Sequence, residues 1–122
     1  MIYGVGVDSV EVARMVKSMQ RPHFMQRVFS AEERALLSGG GPKLQQSAAA
    51  CFAAKEAFLK AAGVGLGGFA LGDIAALRKE GGAPYYQFAG EVARFMEREG
   101  LAAHLSLTHE AGLAIAFAVL EK

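Results

Sequence analysis

Apolar and polar positions recur along the chain at spacings that predict short strands around several helices. Ile2 to Val7 is an apolar run closed by Asp8 and reads as a strand over 2–8, in which Gly4 and Gly6 leave room for another backbone or a ligand to approach. A helix from Val10 to about Met19 follows, Pro22 interrupts the pattern, and Phe24 to Val28 reads as a short turn of helix. Ser30-Ala31-Glu32-Glu33 is a capping-box signature, which predicts a third helical piece to about Ser38. Gly39-Gly40-Gly41-Pro42 cannot continue a helix and is read as a loop at a rim or lid position. From Lys43 or Leu44 a long helix is expected to stop near Gly63, whose freedom at positive φ suits a C-terminal cap.

The second half reads differently. Ile74 to Arg78 and Tyr85 to Phe88 are expected as strands joined through Glu80-Gly-Gly-Ala-Pro84, and Glu91 to Glu99 as an amphipathic helix ending at Gly100. Two more strands, about Ala103 to Thr108 and Leu113 to Leu120, are linked by Glu110-Ala111-Gly112. In the first, His104, Ser106 and Thr108 share one face and Leu105 and Leu107 the other. In the second, Leu113, Ile115, Phe117 and Val119 oppose Ala114, Ala116 and Ala118, and a helix or a neighbouring subunit is expected on the alanine side. The expected fold is α+β, a single domain over 1–122 in the order β-α-α-α-β-β-α-β-β.

Composition narrows the class. A chain of 122 residues is long enough to bury about two-thirds of its unfolded surface. No apolar run approaches the ~20 residues of a membrane span. The opening Met1-Ile-Tyr-Gly4 has no charged leader followed by an apolar stretch, so no export and a cytoplasmic location are expected. Cys51 is the only cysteine, which excludes an intrachain disulfide and reads as a small core residue. A net charge of +1 argues against a general nucleic-acid binder. Its distribution says more: Arg14, Lys17, Arg21 and Arg27 lie between Val12 and Ala31 with no acid among them. Arg14, Lys17 and Arg21 share one helical face if the helix persists that far, and Met15, Met19, Phe24 and Met25 interleave them, which makes a docking surface for an acidic partner.

The candidate chemistry rests on two carboxylates. Asp8 ends an apolar strand, and Glu56 shares a helical stripe with Phe52, Leu59 and Gly63. A charge in such surroundings is costly unless it is paired or bound to a metal. The plainer alternative is a surface i,i+4 pair of Glu56 with Lys60. Two carboxylates are too few to saturate a hard divalent ion, and magnesium commonly completes its shell with waters and substrate phosphates, so Asp8 and Glu56 suit a metal–pyrophosphate site. Lys60, one turn on, is placed to put a point charge on a phosphate, and Gly63 and Gly65 beside it to offer backbone N–H groups. Without a His or Cys cluster a zinc site is not expected.

Gly6-Val7-Asp8 followed by Val10-Glu11 and Arg14, together with Phe52-Ala53-Ala54-Lys55-Glu56-Ala57 and Lys60-Ala61, resembles the paired motifs of the short holo-acyl-carrier-protein synthase type of phosphopantetheinyl transferase. Arg27-Val28-Phe29-Ser30 with Glu32 and Glu33, the turn Gly82-Ala83-Pro84, and His104 to His109 followed by the alanine-rich run 113–119 fall in that family's order. The resemblance spans nearly the whole chain. It implies transfer of the phosphopantetheine arm of coenzyme A to a serine of acyl carrier protein, in a homotrimer with sites at subunit boundaries. Asp8 and Glu56 would hold Mg2+, Lys60 would contact the phosphates and assist the leaving group, and His104 with Ser106 would line the coenzyme A pocket. Arg14 falls where the family's first helix meets the carrier protein, a surface that Lys17, Arg21 and Phe24 extend by charge and neighbourhood. The general base stays open between Glu56 itself, a metal-held water and another carboxylate. Cys51 stands where an arginine usually precedes the phenylalanine, and Val64 where a threonine is common. A non-catalytic coenzyme A or nucleotide-binding subunit is the alternative, disfavoured because binding alone would not need Asp8, Glu56 and Lys60 together.

Overall fold

The structure is a computed structural model that describes residues 1–65 and 67–122. Its elements are β1 (Ile2–Glu11), α1 (Val12–Met19), α2 (Pro22–Val28), α3 (Ala31–Leu36), α4 (Pro42–Ala62), a 3-10 turn (Leu71–Asp73), β2 (Ile74–Arg78), β3 (Pro84–Phe88), α5 (Gly90–Glu99), β4 (Ala102–Glu110) and β5 (Leu113–Glu121). The α+β class holds, with one more helix before β2 than the expected order. The extra helix is α2: Pro22 occupies its first turn, where a missing N–H and a fixed φ help a helix start. β1 outlasts its expected end because Ser9 and Val10 still pair with Ile115 and Ala114. The glycines 39–41 form the connection foreseen there, with Pro42 opening α4.

β1, β5 and β4 form one antiparallel sheet in that order, and β2 pairs with β3 in a second. Helix α4 crosses the inner face of the first sheet. It lies unusually close to β1, because a Cβ on Gly4 or Gly6 would stand 1.9 and 2.0 Å from the Ala61 and Ala57 carbonyl oxygens. The room left by the two glycines is therefore taken by a backbone. Ala114, Ala116 and Ala118 are fully buried under the same helix, so the cover expected on the alanine side comes from this chain itself. The other face of the sheet is open: Val5 and Val7 are 54% exposed and Phe117 45%.

Around α4 the core divides into an aromatic side, where Phe58 meets Phe69, Tyr86 and Phe88, and a side built from Met15, Val28, Phe29 and Leu37. The Tyr86 hydroxyl donates to the Ala54 carbonyl at 2.6 Å. Helix α4 ends at Gly63 in the left-handed conformation, with the Val64 amide bonded to the Leu59 carbonyl and the Gly63 amide to that of Lys60, a Schellman-type stop. The capping box of α3 is present in both directions, Ser30 Oγ accepting from the Glu33 amide and Glu33 Oε1 from the Ser30 amide. Among the described residues no helix is long and apolar enough to cross a membrane.

Candidate active site

Asp8 faces the helix side of β1, paired in register with Ala116 just past the glycine crossing, and α4 presents Glu56 and Lys60 to it. Lys60 Nζ donates to Asp8 Oδ1 at 3.1 Å and to the Val7 carbonyl at 2.9 Å. The ion pair of Lys60 thus runs across to the strand, where the simple surface reading placed it along the helix with Glu56. Glu56 has its carboxyl pushed above the ordinary glutamate range, first by burial and then by the charge of Asp8, with Lys60 opposing. Two carboxylates close enough to repel, with one ammonium between strand and helix, make a donor set that would suit a divalent cation whose shell is completed by phosphate oxygens. Asp8 and Glu56 are the donors that would hold it. Among the described residues there is no group of three or more His, Cys, Asp or Glu that would suit a metal saturated by protein ligands.

The raised Glu56 carboxyl has a stability consequence in metal-free buffer. The folded state keeps that proton to higher pH than the unfolded chain does, so stability falls as pH rises from the unfolded value through the raised folded one. Glu56→Gln has no proton to lose. Its melting temperature with chelator present is therefore expected to exceed that of wild type by more at about pH 7.5 than at about pH 4; a difference independent of pH would contradict this environment.

A cleft of about 460 Å³ opens beside Asp8 and runs past Glu11 and Arg14 to Ser18, over Met15, Phe24 and Phe52. Beyond it Arg14, Lys17, Ser18 and Arg21 border a shallow basic depression of about 450 Å³. The four docking candidates are therefore contiguous with the carboxylate site. Their geometry differs from one helical face, because α1 ends at Met19 and Arg21 is extended at φ −89° and ψ 120°. The cause is Pro22, whose ring disfavours a helical residue before it. Arg21 returns to the group by donating to Ser18 Oγ at 3.3 Å and lying 5.8 Å over the Phe24 ring. Glu11 and Ser18 line the cleft without having been marked as site residues; only the fold of β1 into α1 brings them there.

His104 and Ser106 occupy the outer face of β4, paired with Val119 and Phe117 across the sheet from Asp8. His104 Nε2 and Glu121 Oε1 are 2.7 Å apart. Within one chain they do not join Asp8, Glu56 and Lys60. Gly63 and Gly65 stand in open space just beyond α4, with nothing within 4 Å of an added Cβ; Leu66 of the same glycine loop lies outside the described residues. Cys51 fits the core reading: its thiol is pushed up to about 12 by burial and by the charge of Glu33.

Residues 4–118 match the sequence model of the 4'-phosphopantetheinyl transferase superfamily. A holo-[acyl-carrier-protein] synthase of Clavibacter michiganensis subsp. michiganensis is 45% identical over 99% of this chain and 97% of its own. The crystal structure of holo-[acyl-carrier-protein] synthase from Neisseria meningitidis superposes with a TM-score of 0.90 at 31% identity, covering 100% of both chains. One from Bacillus anthracis, in complex with CoA (3',5'-ADP), does so with a TM-score of 0.83 at 34% identity over 98% of this chain and 96% of that one. The chain belongs to the 4'-phosphopantetheinyl transferase superfamily, in its holo-[acyl-carrier-protein] synthase branch.

Proposed function

We propose that this chain transfers the 4'-phosphopantetheine group of coenzyme A to a serine of apo acyl carrier protein, releasing adenosine 3',5'-bisphosphate. The observation that carries the reading is the convergence of Glu56 and Lys60 on Asp8, which itself lines a cleft that leads to a basic surface. The serine oxygen forms a new bond to the phosphorus that bears pantetheine, and the bond from that phosphorus to the oxygen of the departing nucleotide breaks. Transfers of this kind depend chiefly on alignment and charge neutralisation. Magnesium, bound by Asp8 and Glu56, would supply part of that neutralisation to the pyrophosphate. Lys60 is placed to leave Asp8 for a phosphate oxygen and so to ease departure of the nucleotide. The proton of the serine goes to a carboxylate, either Glu56 beside Asp8 or Glu11 of the cleft, or to a metal-held water. Gly65, just past the end of α4 nearest Lys60, would offer a backbone N–H group, while that of Gly63 is held by the Lys60 carbonyl. The deciding experiment is mass spectrometry of apo carrier protein incubated with this chain, coenzyme A and magnesium: addition of the phosphopantetheine mass supports the reading, and coenzyme A binding without mass gain refutes it.

The exposed face carrying Val5, Val7 and Phe117 is apolar enough to require cover, and His104 and Ser106 stand on the same face. We assign that cover to two further copies of the chain in a homotrimer, which would bring His104 and Ser106 of one copy towards the Asp8 site of the next as part of the coenzyme A pocket. Light scattering is expected to give about three chain masses at micromolar concentration, and a fully active monomer would contradict it. Acyl carrier protein is assigned to the surface of Arg14, Lys17, Arg21 and Phe24, in the cytoplasm. Arg14→Glu/Arg21→Glu is expected to raise the KM for carrier protein at least about tenfold while changing that for coenzyme A little, and high salt to weaken the wild type in the same sense. Equal losses for both substrates would place the arginines in the site or the fold.

A further inference from the structure

The first residue of the Lys-Glu pair in α4 has no part in the chemistry above, yet it is the most deeply buried charge in the chain: Lys55 is 0% exposed and its partner Glu33 1%. The Lys55 ammonium donates to Glu33 Oε1 at 2.6 Å, to the Ile74 carbonyl at 2.5 Å and to the Leu71 carbonyl at 3.1 Å, which occupies all three of its protons. Glu33 is as fully used. Its Oε1 also accepts from the Ser30 amide and its Oε2 from the Ala76 amide, both at 2.9 Å. One ion pair therefore ties α3, the 3-10 turn and β2 to α4.

The opposite side of α4 has no buried lock of this kind; its polar ties to β1 are the partly exposed bonds of Lys60 to Asp8 and the Val7 carbonyl. There it meets β1 and β5 chiefly through Gly4, Gly6, Ala116 and Ala118 against its own Ala57 and Ala61, a close contact of small residues. Such a surface sets how closely the helix approaches but does little to set its rotation. Successive side chains leave a helix about 100° apart, so a fixed direction for Lys55 fixes that of Glu56, and Lys60 follows on the Glu56 face. We propose that Glu33 and Lys55 are positioning residues: their buried pair sets the rotation of α4 that aims Glu56 and Lys60 at Asp8, and neither touches substrate. The inference rests on the transferase reading for its choice of target.

The test is a double-mutant cycle with Glu33→Gln, Lys55→Met and both together, run at a temperature where circular dichroism shows each protein folded. A single substitution leaves a buried charge without its partner and is expected to lower kcat about tenfold or more and to raise the magnesium needed for half-activity, with the KM for carrier protein unchanged. The double variant, with no buried charge left, is expected to recover to within a fewfold of wild type. Should Lys55→Met alone fail to fold, Glu33→Gln and the double variant still decide: adding Lys55→Met to Glu33→Gln costs no further activity if Lys55 only positions. Losses that multiply would overturn the proposal by giving Lys55 a contact of its own with substrate, and single variants with wild-type kcat and magnesium dependence would overturn it equally. If wild type binds coenzyme A without transferring, the same cycle is read calorimetrically in the magnesium dependence of coenzyme A binding. Failure of the activity and failure of the clamp are thus separate results.

Discussion

Asp8→Ala and Glu56→Ala are each expected to abolish phosphopantetheine transfer, by at least ~100-fold in rate, in proteins that remain folded. The magnitude follows from how few groups the site has. Each substitution removes one of the two carboxylates proposed for the cation, and no other acidic side chain sits on the inner face of β1 to replace Asp8. The fold survives for a separate reason. Asp8 pairs with Lys60 across a partly exposed gap, with 55% of the lysine side chain open to solvent, and ion pairs of that kind contribute little to stability. Glu56 is held above its ordinary pKa, so its charge weighs against the folded state before any metal binds. Carrier-protein mass gain followed over time, with far-ultraviolet circular dichroism of each variant, measures both halves of the expectation. A folded variant with near-normal turnover at limiting magnesium would remove the shared-cation assignment.

Legibility in the sequence followed the range of the interactions concerned. The capping box at Ser30 and the stop at Gly63 are written in adjacent residues, and both appear where the local pattern puts them. The two faces of β4 and β5 follow from alternation alone. What alternation cannot say is what covers a face: the alanines of β5 lie under α4 of the same chain, while the branched and aromatic side is the open one. Glu33 shows the same limit more sharply. A capping glutamate is ordinarily satisfied at its own helix terminus, and nothing near residue 33 announces that Lys55 and the amide of Ala76 converge on it. The candidate site was legible as residue types, Asp8, Glu56 and Lys60, but the separation of His104 and Ser106 onto the opposite sheet face depends on which side of β4 meets the helix.

Gly6→Ala is expected to be among the most damaging single-methyl changes at the described residues. The new Cβ would stand 2.0 Å from the Ala57 carbonyl oxygen and 2.8 Å from the Ala61 amide nitrogen, both backbone atoms of α4 that cannot swing aside as a side chain would. The helix must move away from β1 as a body. That separation opens the alanine contact between α4 and the sheet along its length and is expected to cost about 3 kcal/mol, at the upper end of overpacking effects. It also carries Glu56 and Lys60 away from Asp8, and a displacement of about 1 Å at such a site costs on the order of 100-fold in rate. Stability and activity should therefore fall together: a lower urea midpoint, and weak turnover even where the variant is fully folded. Gly81→Ala is the matched control, since its added Cβ meets nothing within 4 Å, and it should leave both quantities unchanged. A Gly6→Ala protein with the midpoint and kcat of wild type would show that α4 does not rest on this strand as closely as the site requires.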